Sequence, residues 1–314
     1  MLLFAPAHSA AFARLIAHEL GVELSPSEER EFEGGEHKMR PLVGVQREDV
    51  FVVQSLCGDA RASANDKLCR LLFFIAALKD AGARRVTACV PYLAYSRKDR
   101  RTQPGDPVTT KYVAAMFAAA GVDSLIVIDV HNEAAFDNAF TCPTIRLEAA
   151  EVFVERLRPS MAQRSIVIAS PDIGGVKRAQ EIRERLAASG DREIGFAFVE
   201  KRRAAGVVSG ELLVGQVAGS DVLFYDDMIS SGTTLLRAVQ AARRAGAANV
   251  HVAAAHAAFQ PAAARLFDED GPNSVLVSDS IALAAPFDSI APARLTVCSV
   301  APLFARAIAE LTDR

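Results

Sequence analysis

Residues 222–234 read VLFYDDMISSGTT. Four apolar residues, Val222 to Tyr225, run directly into two adjacent acids, Asp226 and Asp227. Met228 and Ile229 follow, and then the small, hydroxyl-rich run Ser230, Ser231, Gly232, Thr233 and Thr234. Beyond it Leu235, Leu236, Val239, Ala242 and Ala245 recur at helical spacing. The pattern predicts a buried strand that ends in paired carboxylates, and a loop that opens a helix. Backbone N–H groups and hydroxyls at a helix N-terminus suit a phosphate. Carboxylates accept hydrogen bonds and ligate hard cations, so the acids suit ribose hydroxyls or a hydrated metal ion. Together they point to a sugar phosphate. A plain Ser/Thr helix cap would account for the loop, but not for two acids beside it.

Working outward, short apolar strands alternate with amphipathic stretches. Strands are expected at 50–54, 86–91, 125–129, 166–170, 222–225, 250–255, 274–277 and 295–299, and helices at 66–81, 109–120, 147–157, 175–188 and 234–245. This alternation predicts an α/β fold with mainly parallel sheets flanked by helices. The stretch starting DVFVVQS at Asp49 and the stretch starting DVLFYDD at Asp221 share one order: strand, loop, helix, Ala-Gly, strand. That repeat predicts two related domains, residues 1–147 and 148–314. The first copy lacks the acid pair and carries extra residues around Gly58–Ala64.

Bulk properties narrow the function. The 314 residues are 51% hydrophobic and 23% charged, which suits a globular chain with room for two cores. A formal net charge of -3 argues against nonspecific nucleic-acid binding. Five widely spaced cysteines without metal-binding spacing suggest reduced thiols and a cytoplasmic setting. The N-terminus is apolar, but Arg14, His18 and Glu19 interrupt it, so it reads as an amphipathic helix rather than a signal peptide. No apolar run reaches bilayer length, so no membrane partner is expected.

Four further segments carry chemistry. SRKDRR at 96–101 follows a strand, where open parallel sheets bind ligands, and Arg97, Arg100 and Arg101 could clamp phosphates. IVIDVHN at 126–132 sets Asp129 and His131 at another strand end, as a metal or catalytic candidate. IVIASPDIGGVKR at 166–178 runs from a strand through Asp172 and two glycines into a helix. VEKRR at 199–203, followed by Ala-Ala-Gly, looks like a mobile cationic loop whose Lys201 and Arg202 or Arg203 could close over an anionic transition state. No GxxxxGK[ST], GxSxG or HExxH motif occurs.

FEGGE (32–36), PYLAYSRKDRR (91–101), DVH (129–131), SPDIGGVKRA (170–179), EKRR (200–203) and DDMISSGTT (226–234) occur in this order, and the chain thereby resembles the ribose-phosphate pyrophosphokinases. The resemblance implies two tandem domains of the type I phosphoribosyltransferase fold, assembled as a homo-oligomer, a dimer or hexamer. It implies Mg²⁺-dependent transfer of the diphosphoryl group of ATP to the C1 hydroxyl of ribose 5-phosphate. By the same resemblance Phe32, Glu36, Arg97, Asp99 and Arg100 would bind ATP, and His131 and Asp172 would ligate Mg²⁺. Asp226 and Asp227 would hold the ribose hydroxyls, while Ser230, Ser231, Gly232, Thr233 and Thr234 cradle the 5-phosphate. Lys201 and Arg203, with His131, would be catalytic. Gly34 stands where the family has an acid, and Lys98 where it has glutamine. Two rival readings are a noncatalytic regulatory homologue and a phosphoribosyltransferase. The cationic segment with His131 and Asp172 speaks against the first; the whole N-terminal copy speaks against the second.

Overall fold

A computed structural model describes residues 1–157, 165–188, 193–204 and 207–313, with only the backbone of 201–204 and 207–211. The chain forms two compact units: Met1–Leu147 with Val300–Arg314, and Glu148–Ser299.

The first unit runs β1 (Leu2–Phe4), α1 (Ala10–Leu20), β2 (Ser27–Glu31), β3 (His37–Pro41), β4 (Asp49–Val53), α2 (Ala64–Asp80), β5 (Arg85–Val90), α3 (Thr109–Ala119), β6 (Ser124–Ile128), α4 (Glu133–Ala139) and β7 (Thr144–Leu147). Its described sheet has the order β1-β4-β5-β6-β7, and every pairing is parallel. The apolar runs of β4, β5 and β6 are buried, as expected of strands covered on both faces. Helix α2 starts at a reciprocal cap: Asp66 N–H donates to Ser63 Oγ at 3.2 Å, and Ser63 N–H donates to Asp66 Oδ2 at 2.8 Å. The extra residues before it are tied down by Asp59, which accepts from the N–H groups of Arg61 and Ala62 and pairs with Lys67 Nζ at 2.7 Å.

The second unit comprises α5 (Ala150–Leu157), β8 (Ile166–Ser170), α6 (Val176–Ala188), β9 (Gly195–Ala204), β10 (Val207–Val214), β11 (Asp221–Met228), α7 (Thr233–Arg244), β12 (Asn249–His256), β13 (Ser274–Ser278) and β14 (Leu295–Cys298). Its described sheet has the order β10-β9-β8-β11-β12-β13-β14 and is parallel except for the β9–β10 hairpin. Strand β11 lies between β8 and β12, and Val222 to Tyr225 are buried there. The apolar face of α7 (Leu235, Leu236, Val239, Ala242) packs into the same core.

Three expectations change. The last helix, α8 (Ala301–Thr312), belongs to the first unit and not to a domain 148–314. Its apolar face packs on α1, with the Phe12 and Phe304 rings edge-on at 5.7 Å, and Arg85 Nη2 donates to the Leu311 carbonyl at 2.9 Å. Lys201 to Arg203 were expected in a loop, but their backbone continues β9 and pairs antiparallel with β10, Lys201 opposite Glu211 and Arg203 opposite Val208. The alternating run of β9 and the β-branched start of β10 supply the ladder that a charge count overlooks. The helix expected from 147 begins at Ala150, because Leu147 ends a strand paired with Ile128. Among the described residues no helix is long and apolar enough to cross a membrane.

Candidate active site

Asp226 and Asp227 sit at the C-terminal end of β11, where adjacent residues of a strand normally face opposite ways. Here one group draws them together. Arg178 Nη1, from the first turns of α6, lies 3.0 Å from Asp226 Oδ1 and 3.4 Å from Asp227 Oδ1. The Asp227 N–H also donates to Asp226 Oδ1 at 2.9 Å. Asp227 is buried and the Asp226 side chain is 24% exposed. Burial, reinforced by the neighbouring Asp227 charge and opposed by Arg178, pushes the Asp226 carboxyl up to about 7. Two carboxylates thus share one guanidinium.

The turn after β8 closes on the same cluster. Asp172 caps the short turn Ile173–Gly175, accepting from Gly175 N–H at 3.3 Å, and Ser170 Oγ donates to the Asp172 carbonyl at 2.6 Å. A Cβ on Gly175 would stand 2.7 Å from Ser170 Oγ and 3.8 Å from Asp226 Oδ1. The Ser170 hydroxyl, rather than the acids, leaves no room for a side chain at this turn.

The loop 229–232 leads into α7. Gly232, at φ +72°, is the N-cap residue and has no side chain to cap the helix. Ser231 Oγ lies 3.2 Å from Thr233 Oγ1 and accepts from Thr233 N–H at 3.4 Å. The loop's other side is fixed by backbone: Ile229 N–H donates to the His256 carbonyl at 2.9 Å, and Gln260 N–H to the Ser230 carbonyl at 3.1 Å. The second unit therefore sets an acid pair beside a helix N-terminus, which is donor and acceptor chemistry for a sugar phosphate.

In the first unit, Phe32 and Glu36 lie on the tip joining β2 to β3, where Phe32 N–H donates to the Glu36 carbonyl at 2.7 Å and Arg30 stacks 4.9 Å from the Phe32 ring centroid. Phe32 is 39% exposed, which leaves a ring face available for stacking. Arg97 and Arg100 are exposed. Asp99 accepts from Asn132 Nδ2 at 2.6 Å, and Asn132 caps α4 directly after His131. The SRKDRR and DVHN segments are thus held together. Lys98 instead pairs with Asp106 at 2.9 Å. The side chains of Lys201 and Arg203 lie outside the described residues.

Residues 1–121 match the family model for the N-terminal domain of ribose phosphate pyrophosphokinase, and residues 142–282 match that for a phosphoribosyl transferase domain. The ribose-phosphate pyrophosphokinase of Haemophilus influenzae is 32% identical over 99% of this chain and 96% of its own length. The chain belongs to the ribose-phosphate pyrophosphokinase family. The enzyme of that name from Maricaulis maris is 36% identical over 96% of this chain and 93% of its own. The crystal structure of phosphoribosylpyrophosphate synthetase from Mycobacterium smegmatis superposes with a TM-score of 0.88 at 30% identity, covering 99% of this chain and 98% of that one. Family membership makes this chain an enzyme of the diphosphokinase class, built from two phosphoribosyltransferase-like domains. Arg178, the common partner of both acids, escaped the sequence reading. Its signal was its place in SPDIGGVKRA, one turn into a helix that starts beside the acid-bearing strand.

Proposed function

We propose that this chain transfers the diphosphoryl group of ATP to the C1 hydroxyl of ribose 5-phosphate with Mg²⁺, giving AMP and 5-phosphoribosyl 1-diphosphate. The observation that carries the reading is the Asp226–Asp227–Arg178 cluster set beside the start of α7. The amides and hydroxyls of Ser230 to Thr234 take the 5-phosphate, and the acids accept hydrogen bonds from the ribose 2- and 3-hydroxyls. This fixes the C1 end for attack, and positioning accounts for much of such a rate.

The donor set suits Mg²⁺. It consists of hard oxygen ligands, with Asp226 held at a raised proton affinity that a cation would relieve. Among the described residues no cluster of three or more His, Cys, Asp or Glu forms a ready-made metal cage, but Mg²⁺ bound to phosphates needs only one or two protein ligands. Asp172 and the acid pair are the proposed Mg²⁺ ligands of the second unit, and His131 is the proposed ligand of the first. When bound, Mg²⁺ neutralises charge on the diphosphate oxygens.

Phe32, Glu36, Arg97, Asp99 and Arg100 are the proposed ATP contacts: Phe32 stacks on the base and the arginines meet the phosphates. The C1 oxygen forms its bond to the β-phosphorus as the bond from that phosphorus to the AMP oxygen breaks, and the hydroxyl proton passes to solvent. Lys201 and Arg203 are the proposed cations for charge spread over the non-bridging oxygens. ATP and ribose 5-phosphate are the proposed partners, and a homo-oligomer the proposed assembly. Purified protein with ATP, ribose 5-phosphate and Mg²⁺ should form AMP only when the sugar phosphate is present. Folded protein without that dependence would overturn the proposal.

A further inference from the structure

The phosphate loop is held on the side away from α6 by the chain leaving β12, and this exit is pinned by a buried polar cluster. His256, the last residue of β12, is 3% exposed. Its Nδ1 lies 2.9 Å from Ser280 Oγ. Ser278 Oγ donates to the Ala255 carbonyl at 2.6 Å and lies 2.8 Å from Ser280 Oγ, while Ser280 N–H donates to Ser278 Oγ at 3.1 Å. Both serines therefore hold the Ala255 carbonyl, and Ser280, itself fixed by Ser278, meets the imidazole that follows.

What leaves this grip is the outer wall of the loop. The His256 carbonyl receives Ile229 N–H, and Gln260 N–H reaches the Ser230 carbonyl. Further along, a Cβ on Gly232 would meet Leu266 Cδ1 at 2.7 Å. The loop is thus braced at Ile229, Ser230 and Gly232 by residues 256–266, and the direction of that segment is set where it begins. Imidazole and hydroxyl groups this deeply buried cost free energy unless each is bonded. They specify one geometry, whereas an apolar residue at 256 would leave the exit angle to packing alone.

We propose that His256 is a positioning residue for the phosphate loop: clamped by Ser278 and Ser280, it sets the path of the chain that holds Ile229 and Ser230, and so preorganises the amides that receive the 5-phosphate. The inference rests on the proposed reading of that loop as the ribose 5-phosphate site. His256 touches no reacting atom in this account. Its effect falls on sugar-phosphate binding and not on the chemical step.

The test compares His256→Leu, His256→Asn and Ser280→Ala with the parent protein. Asparagine places a polar atom near the position of Nδ1, and leucine fills a similar space without one. His256→Leu and Ser280→Ala should raise KM for ribose 5-phosphate about tenfold, because small displacements of binding groups weaken positioning steeply. KM for ATP and kcat at saturating sugar phosphate should hold within about twofold of the parent by the same reasoning. His256→Asn should recover most of the loss. Amide exchange at Ile229 and Gln260 should accelerate in the Leu and Ala variants only. An unchanged KM for ribose 5-phosphate in folded Ser280→Ala, or equal losses in KM for both substrates and in kcat, would overturn the inference. Calorimetric titration of the parent with ribose 5-phosphate separates the two readings. No binding by the parent overturns the loop assignment itself, whereas parent-like binding by the variants overturns only the role of His256.

Discussion

Arg178 Nη1 lies 3.0 Å from Asp226 Oδ1, across 48 positions of chain. The contact joins the first turns of α6 to the end of β11. It makes Arg178 the resident counter-charge of an acid pair that would otherwise repel itself. Arg178→Gln keeps much of the volume and one donor but removes the charge. Leaving a partly buried carboxylate short of its partner costs about 1–3 kcal/mol. A loss of unfolding free energy of that order, and so a lower urea midpoint, is expected, together with at least about a tenfold rise in KM for ribose 5-phosphate as the pair loses its geometry. Chemical denaturation and initial-rate kinetics check both, and Arg178→Lys should fall between the two.

The raised Asp226 proton affinity has a direction in pH. Its folded pKa, about 7, lies above the ordinary aspartate value of 3.8, so between these values the folded state binds more protons than the unfolded state. Stability associated with this group is therefore present at low pH and lost as pH rises through about 7. Asp226→Asn resembles the protonated form at every pH. The variant should melt higher than the parent at pH 8, and the difference should be smaller at pH 5 and vanish only below about 4. Mg²⁺ should narrow the gap at pH 8 by stabilising the ionised parent. Calorimetry at both pH values decides, and a gap that is largest at pH 5 would reverse the assignment. The same variant should lose most ribose 5-phosphate-dependent turnover.

Asp49 behaves oppositely. It is 4% exposed and takes paired hydrogen bonds from Arg85, at 2.9 and 2.7 Å, and from Arg84. The Arg85 bonds, then those of Arg84, hold its carboxyl far below the ordinary range. A depressed carboxylate stabilises the fold above its unfolded pKa, and that stability is lost as pH falls from about 4 towards the folded value. Asp49→Asn should therefore cost stability at pH 7, about 1–3 kcal/mol for a buried carboxylate whose arginine partners are partly exposed, and less at pH 3, where the loss has begun. Denaturation midpoints at the two pH values measure this.

The strands that carry the site were legible because their residues are buried on both faces. VLFYDD, IVIAS and VTACV are continuous apolar runs, and parallel strands under two helical layers leave no polar face to obscure them. The hairpin β2–β3 was not legible. SEERE is charged at four of its five positions, and only its pairing with HKMRP makes it a strand. Lys201 to Arg203 were misread for the same reason, since a run of cations hides the ladder that β10 supplies. The placement of α8 depends on a contact between Phe12 and Phe304 that no local pattern encodes. The acids and the phosphate loop could be read as motifs, but Arg178 and His256 could not. Their partners lie on other elements, and register alone brings them together.

Gly175 tests how tightly the turn at Asp172 is packed. Its added Cβ would sit 2.7 Å from Ser170 Oγ, inside contact distance, so Gly175→Ala should cost about 1–3 kcal/mol as an overpacking change. Ser170→Ala removes the obstructing hydroxyl but also the 2.6 Å bond to the Asp172 carbonyl, at about 1 kcal/mol. The double variant should be more stable than the sum of the two predicts, by about 1 kcal/mol or more for residues in contact. Strict additivity would show that the turn relaxes away from Ser170.

Gly232 and Gly219 share a φ of +72° but not their surroundings. A Cβ on Gly219 meets nothing within 4 Å, whereas one on Gly232 meets Leu266 Cδ1 at 2.7 Å and Cγ at 2.9 Å. Gly219→Ala therefore reports backbone strain alone, about 1–2 kcal/mol for a left-handed non-glycine residue. Gly232→Ala carries the same strain plus a clash with a buried leucine, about 1–3 kcal/mol more. The structure can relieve the second only by moving Leu266 or the phosphate loop. Movement of the loop raises KM for ribose 5-phosphate in Gly232→Ala, while Gly219→Ala keeps the parent value. If the two variants lose equal stability and both keep KM, the loop is not packed against Leu266 in solution.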